Sequence, residues 1–357
     1  MYVILTQCFP PQVGGIENLM RDFALAIHEA GHELTVLADG KMGRAAPAFP
    51  FRVLRFGGWK PLRRWRKGLA SRKVIFDPRV KMVIADSWKS LEYFDGCDAP
   101  VLCLAHGMEF PPKPSEKRKA RMIEAFSKAD HVYANSKFTA EQAAPYVDAD
   151  KLTVMPLPLM PQPEPPRSQL AVLRNAYGNK PMIASLCRLE PRKGIDRLIG
   201  AMRSLRGEAT LLIAGDGPDR ARLEELANAS PAHDDIHFLG KISDEEKAAL
   251  MRFADVFAMP TRREGASVEG FGLVYLEAGW YGTPSLAGIE GGASDAVLDG
   301  TTGLLCDGSS QMEVTESLQR LLHDYIFREK LGKAACEHAK SQVWNEKLAL
   351  YLKPSQS

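Results

Sequence analysis

The chain has 357 residues, 45% of them apolar and 25% charged, with a net charge of +2. That length exceeds one ordinary core and fits two domains of about 150–200 residues. The composition excludes a disordered or fibrous chain, and no run approaches the roughly 18 apolar residues that a membrane span needs.

The opening residues, MYVILTQCFPP, carry no basic start and no small-residue cleavage site, so they read as a β-strand and not as a secretion signal. Val3 to Thr6 form that strand, Gly14-Gly15 a turn, and Ile16 to Ala30 an amphipathic helix stopped by Gly31. Leu34 to Ala38 follow as a second strand, which completes a βαβ unit. The Gly14-Gly15 turn is either a plain tight turn or a place where backbone N–H groups approach a phosphate or sugar. It has neither the GxGxxG spacing of a dinucleotide fold nor the GK[ST] of a P-loop, so NAD and ordinary ATPase chemistry gain no support.

Charge is unevenly spread. Lys41 to Lys81 hold thirteen Lys and Arg against one acid, Asp77, so the rest of the chain is net acidic. Within that segment Trp59, Arg63, Arg64, Trp65, Arg66 and Lys67 mix cations with tryptophan, the composition of a surface that lies on anionic lipid. A solubilising surface is the plain alternative, and a nucleic-acid or other polyanion site is a third reading. A second basic run, KPSEKRKAR at 113–121, falls in the same half. Between the two runs, the apolar strand Val101 to Ala105 ends in His106-Gly107, where the histidine either meets a ligand or satisfies a loop carbonyl. Asp148-Ala149-Asp150, ahead of a strand from Leu152 to Met155, reads as a turn and not as a metal-binding DxD.

Six prolines between Met155 and Arg167 forbid regular structure and mark a stiff connection. The expected division is residues 1–157, a linker at 158–167, residues 168–340, and a helix in 341–357 that packs back on the first domain. The second half repeats the βαβ grammar, with Met182 to Leu186, a turn through Arg188 to Gly194, a helix to about Leu205, and Thr210 to Ala214. Strands alternating with helices at this interval argue for parallel, doubly wound sheets in both halves. The six cysteines show no CxxC pair or zinc spacing and read as reduced thiols of a cytoplasmic protein.

Three stretches of the second half carry chemistry. In SLCRLEPRKG, Arg188 and Lys193 flank a loop that enters a helix, which makes either an anion site for a diphosphate or two solvated surface charges. In LIAGDGPDR, Asp216 reads as a turn former. In EGASVEGFGLVYLEAGWYGTP, Glu269 and Glu277 bracket Gly270, Phe271 and Gly272 at the start of a helix from Leu273 to Trp280. Free amides at that start suit phosphate oxygens. The two carboxylates would be repelled by a diphosphate and are better employed accepting hydrogen bonds from sugar and ribose hydroxyls. A further glycine loop, Gly291-Gly292, follows.

Taken in order, the GG turn at 14–15, HG at 106–107, R-x4-K-G at 188–194, AGDGP at 214–218, FLG at 238–240, E-x7-E at 269–277 and GG…DG..G at 291–303 resemble the family 4 retaining glycosyltransferases over essentially the whole chain. VEGFGLVYLEA followed by GG is most similar to the branch with bacterial mannosyltransferases that act on lipid acceptors. The resemblance implies an α/β GT-B architecture, two Rossmann-like doubly wound domains facing each other across a cleft, the first for acceptor and the second for nucleotide sugar. It implies that Arg188 and Lys193 stabilise the leaving diphosphate, Glu277 binds ribose hydroxyls, and Glu269 and His106 bind the donor sugar. Gly270, Phe271, Gly272 and Leu273 would touch sugar and phosphate through main chain, Lys241 and Ile242 the base, and Gly14 and Gly15 the diphosphate. It further implies a nucleotide-sugar substrate, GDP-mannose or a UDP-hexose, with no metal and no other cofactor. The acceptor would be lipid-linked or a cell-envelope glycan, met by a protein held peripherally on the inner face of the cytoplasmic membrane, with no nucleic-acid partner. A soluble acceptor, a sugar-nucleotide epimerase on the same fold and a non-enzymatic polyanion binder are the competing readings.

Overall fold

The structure, a computed structural model, describes residues 1–12, 14–40 and 48–353, apart from the side chain of Lys60. The start of the basic segment, at 41–47, and the end of the expected C-terminal helix, at 354–357, lie outside the described residues. The chain divides into two compact units, Met1–Met160 joined by the segment that begins at Trp344, and Pro161–Val343.

The first unit is built on seven strands, β1 (Tyr2–Thr6), β2 (Leu34–Asp39), β3 (Arg52–Phe56), β4 (Met82–Ala85), β5 (Val101–Ala105), β6 (His131–Ala134) and β7 (Leu152–Val154), in the order β3-β2-β1-β4-β5-β6-β7. Every pairing is parallel. Parallel strands covered on both faces must be apolar on both, and β1, β2, β4 and β5 are buried throughout. One face carries Leu19, Phe23 and Ile27 of the helix Gly15–Glu29 against Ile4 and Val36. The other carries Trp88, Met122 and Phe126 against Val3, Leu5 and Val83. Strand order reverses between β1 and β4, and the loops leaving their carboxyl ends open the crevice where such sheets take ligands.

The returning helix Trp344–Leu352 completes this unit. The Trp344 ring stacks on Phe23 at 4.4 Å, and the Tyr351 hydroxyl donates to the carbonyls of Met155 and Pro156. Leu159 is buried, and its carbonyl accepts from Trp344 N at 3.1 Å. On the far side of the break, Tyr281 donates to the Pro163 carbonyl at 2.7 Å. The proline run expected as a linker at 158–167 is therefore not a free spacer: residues through 160 pack into one unit and Pro163 into the other.

The second unit has β8 (Met182–Leu186), β9 (Thr210–Ala214), β10 (Ile236–Gly240), β11 (Val256–Met259), β12 (Ser285–Gly288) and β13 (Gly303–Cys306), ordered β10-β9-β8-β11-β12-β13 and again all parallel. Its helix after β8 spans Ile195–Ala201, shorter than the expected run to Leu205, because the chain continues in single turns such as Leu205 N to Met202 O. The six cysteines are unpaired.

Candidate active site

In the second unit the site grows from the carboxyl ends of β8 and β11. After β8 the chain buries Leu189 and turns through the single 3-10 turn Pro191–Lys193 into Gly194. Gly194 has φ +71°, and a Cβ there would lie 2.1 Å from the Pro260 carbonyl oxygen. Glycine alone lets this loop close on the residue that follows β11, and the closure turns Lys193 inward.

Lys193 is 8% exposed and its Nζ lies 2.5 Å from Glu269 Oε2. Arg192 Nη1 donates to the same oxygen at 2.8 Å, while Arg192 Nε donates to Glu190 Oε2 at 3.0 Å. Arg188, by contrast, faces outward, with 71% of its side chain exposed and Nε 3.3 Å from Glu190 Oε1. Arg188 and Lys193, expected together at a diphosphate, differ in setting: the first is exposed, the second buried, and between them lies a largely buried cation, Arg192, that the motif did not single out. Burial pushes the Glu269 carboxyl up, but the Lys193 and Arg192 charges outweigh it and hold the group below the usual carboxylate range.

The glycine turn after Glu269 is built as the sequence requires. Gly272 sits at φ +86° as the N-cap of the helix Leu273–Trp280, Phe271 is buried, and Tyr275 anchors the helix by donating to the Met259 carbonyl at 2.6 Å. The Glu269 carbonyl accepts from Gly292 N at 2.8 Å, which ties the second glycine loop to the first. Glu277, five residues beyond Gly272, pairs with Lys247 Nζ at 2.9 Å, both half-hidden from solvent. Lys247 comes from the helix Asp244–Phe253, which a capping box at Ser243 and Glu246 starts. Lys241 and Ile242 follow β10 at the same sheet edge, Lys241 exposed with Nζ 3.8 Å from Asp216.

In the first unit Gly15 opens the helix Gly15–Glu29 and Gly14 precedes it in an extended conformation. The organising residue is one that the motifs missed, Asp86, directly after β4. Its carboxylate accepts from Thr6 Oγ1 at 2.7 Å, Gln7 N at 2.6 Å, Cys8 N at 3.2 Å and Ser90 Oγ at 2.7 Å, which fixes the loop after β1. An acid immediately after a fully apolar strand, at the reversal of strand order, was the available signal. His106 is 6% exposed; its ring Nε2 lies 3.0 Å from the Asp86 carbonyl and its backbone N donates to Glu109 Oε1. Nδ1 has no partner among the described residues.

The basic segment does not present one cationic face. On the helix Lys60–Ile75, Lys67 is 3% exposed, with Nζ 2.8 Å from the buried Asp39 and donating to the Thr6 carbonyl. Arg63 also binds Asp39, and Arg64 is tied to Glu92 and Gln7. Lys67 is therefore not a membrane-facing charge, because it neutralises an acid at the end of β2; Arg63 and Arg64 are spent in the same way. Arg66, Trp59 and Trp65 do face solvent. Asp148, of the sequence DxD, caps a single turn and lies 3.8 Å from Lys151. Among the described residues no group of three or more His, Cys, Asp or Glu is arranged to hold a metal ion.

Residues 13–159 match the family described as Glycosyltransferase Family 4, and residues 172–338 match Glycosyl transferases group 1. The chain is 31% identical to a GDP-mannose-dependent alpha-(1-6)-phosphatidylinositol monomannoside mannosyltransferase of Mycobacterium tuberculosis, across 95% of this chain and 94% of that one. The chain belongs to the family 4 glycosyltransferases of the GT-B fold. A monoacylated phosphatidylinositol monomannoside mannosyltransferase of Corynebacterium glutamicum, also GDP-mannose-dependent, is 29% identical to this glycosyltransferase over 95% of its length and 93% of the relative's. Among solved structures, Anabaena HepE in complex with UDP and glucose has a TM-score of 0.78 at 19% identity, covering 99% of this enzyme and 100% of HepE. Sucrose-phosphate synthase of Thermosynechococcus elongatus has a TM-score of 0.80 at 22% identity, with coverages of 98% and 97%. These two share its fold. No helix among the described residues is long and apolar enough to cross a membrane.

Proposed function

We propose that this glycosyltransferase moves mannose from GDP-mannose to a phosphoinositol-bearing lipid at an anionic membrane surface, with retention at the anomeric carbon and without a metal. The observation that carries the reading is the 31% identity, over nearly the full length of both chains, to an enzyme named for that donor and for a mannosylated phosphatidylinositol acceptor. Cleaving a glycosyl–phosphate bond puts negative charge on the departing diphosphate and positive charge on the sugar. Lys193, Arg188 and the amides of Gly270 to Leu273 answer the first, which is the work a metal does elsewhere. The family resemblance assigns Glu269 and His106 to the sugar, Glu277 to the ribose, Lys241 and Ile242 to the base, and Gly14 and Gly15 to the diphosphate.

The membrane part of the reading rests on the outer face of the helix Lys60–Ile75. Trp59, Leu62, Trp65, Leu69 and Phe76 are all exposed and mostly three or four residues apart, with exposed Arg66, Arg72 and Lys73 among them. An apolar stripe edged with cations lies in a lipid interface, the rings in the headgroup layer and the cations on anionic headgroups.

One experiment tests both parts. The enzyme is given GDP-mannose or a UDP-hexose, with vesicles of phosphatidylinositol monomannoside in anionic lipid, with and without EDTA, and the product is weighed by mass spectrometry. Mannose transfer that persists in EDTA, from protein that floats with the vesicles in a salt-sensitive way, is the expected result. Transfer from UDP-hexose alone, or flotation unchanged by Trp65→Glu with Arg66→Glu, would overturn the corresponding part.

A further inference from the structure

The buried carboxylate of Glu269 is shared by two cations, and the two are not equivalent. Arg192 lies with its fork spent on two acids, Nε on Glu190 at 3.0 Å and Nη1 on Glu269 at 2.8 Å, and it is largely buried. A planar guanidinium so engaged cannot turn to a new ligand without breaking both bonds. Lys193 makes a single contact, to Glu269 Oε2, through a flexible stem with three donors. Both cations use Oε2; Oε1 has no partner among the described residues.

We propose that Arg192 is a positioning residue that keeps Glu269 paired when Lys193 turns to the donor's diphosphate. Donor binding is then an exchange: Lys193 leaves one anion for another, Arg192 stays, and Oε1 keeps its aim at a sugar hydroxyl. Without Arg192, Glu269 would have Lys193 as its sole counter-ion, and the carboxylate and the diphosphate would compete for one ammonium. This inference rests on the proposed nucleotide-sugar donor but not on which base or sugar it carries.

The test measures nucleotide binding by calorimetry in Arg192→Met, Arg192→Lys and the double variant Arg192→Met/Glu269→Gln, each with GDP and with UDP. Losing one charge-assisted contact to the diphosphate should weaken nucleotide binding about tenfold in Arg192→Met. Arg192→Lys, which keeps the charge but not the fork, should lie between wild type and Met. Removing the competing charge should bring the double variant back to within about threefold of wild type, while transfer stays low because the sugar contact is gone. A merely structural arginine would not be rescued by Glu269→Gln. Wild-type affinity in Arg192→Met, or a loss that persists in a double variant with native circular dichroism, would overturn the proposal. Binding of UDP but not GDP would instead remove GDP-mannose from the proposed function and leave the Arg192 comparison to be read with UDP.

Discussion

Lys67→Met tests the inward role of a residue whose neighbours Trp65 and Arg66 are exposed. The substitution keeps the length of the side chain and removes a charge that is 3% exposed, leaving Asp39, itself fully buried, with less compensation. Breaking a buried ion pair from one side costs about 3–5 kcal/mol. Arg63 Nε remains 2.9 Å from the other Asp39 oxygen, which places the expected loss at the lower end, about 3 kcal/mol. The Thr6 carbonyl also loses its donor at 2.9 Å, beside the loop that Asp86 fixes. For a unit of this size, about 3 kcal/mol corresponds to a Tm lowered by roughly 6–12 °C. Differential scanning calorimetry reads this directly, because the affected unit unfolds earlier. Vesicle flotation of the folded variant at 20 °C should stay within about twofold of wild type, since an internal ion pair contributes nothing to the surface field. A Tm within about 2 °C of wild type, combined with lost flotation, would show that Lys67 serves the membrane and that the pairing with Asp39 is wrong.

Two further outcomes follow from the second unit. The Glu269 carboxyl is held below its free value of 4.5, so its ionisation adds stability that is complete above that pH and is lost as the pH falls through the lower, folded-state value. The stability gap between wild type and Glu269→Gln, followed by thermal unfolding, should therefore be constant from pH 7 down to about 4.5 and narrow below it; a gap independent of pH would contradict the pairing. Lys247→Met frees Glu277 from its ion pair at 2.9 Å and should shrink the preference for GDP over its 2′,3′-dideoxy analogue by about threefold to tenfold. An unchanged preference would separate Lys247 from the ribose contact.

The βαβ order was legible because parallel strands covered on both faces are written as short apolar runs, as in β1, β2 and β8, and because glycine and proline punctuate them. The positions of Lys193 and Glu269 were legible for a related reason: each lies in a glycine-marked loop that enters a helix, and Glu277 follows within the second of those helices. Their partners were not. The Arg192–Glu269 contact joins residues 77 apart, and Lys247–Glu277 joins residues 30 apart, and no local pattern encodes either. Lys67 shows a different loss. Composition alone treats Arg66 and Lys67 as one cluster. Helical period separates them: Arg63, Lys67 and Ser71 fall on the side turned to the sheet, while Leu62, Trp65, Arg66 and Leu69 fall on the other. The period was available in the sequence, but the acid that makes the inner face tolerable, Asp39 at the end of β2, was not.

The arrangement of Glu269 also answers a difficulty that the sequence raised, namely how a carboxylate tolerates a place beside a diphosphate. Two like charges about 5 Å apart in a medium of effective dielectric about 20 repel by about 3 kcal/mol, enough to cost two orders of magnitude in affinity. A neutral side chain would avoid the repulsion but would accept a sugar hydroxyl more weakly than a carboxylate does. The structure keeps the carboxylate and surrounds it with charge. Arg192 is bound on its far side by Glu190, whose own charge is in turn met by Arg188, so an alternating chain Arg188–Glu190–Arg192–Glu269–Lys193 runs through the loop after β8. That chain has one positive charge in excess, and its two free ends are both cations. In the proposed exchange a diphosphate would meet Arg188 at one end and Lys193 at the other, and Glu269, once Lys193 leaves it, would stay paired through Arg192. The two motif cations, five residues apart, are thus joined through Glu190, Arg192 and Glu269 into one chain of alternating charge that ends in a cation on each side.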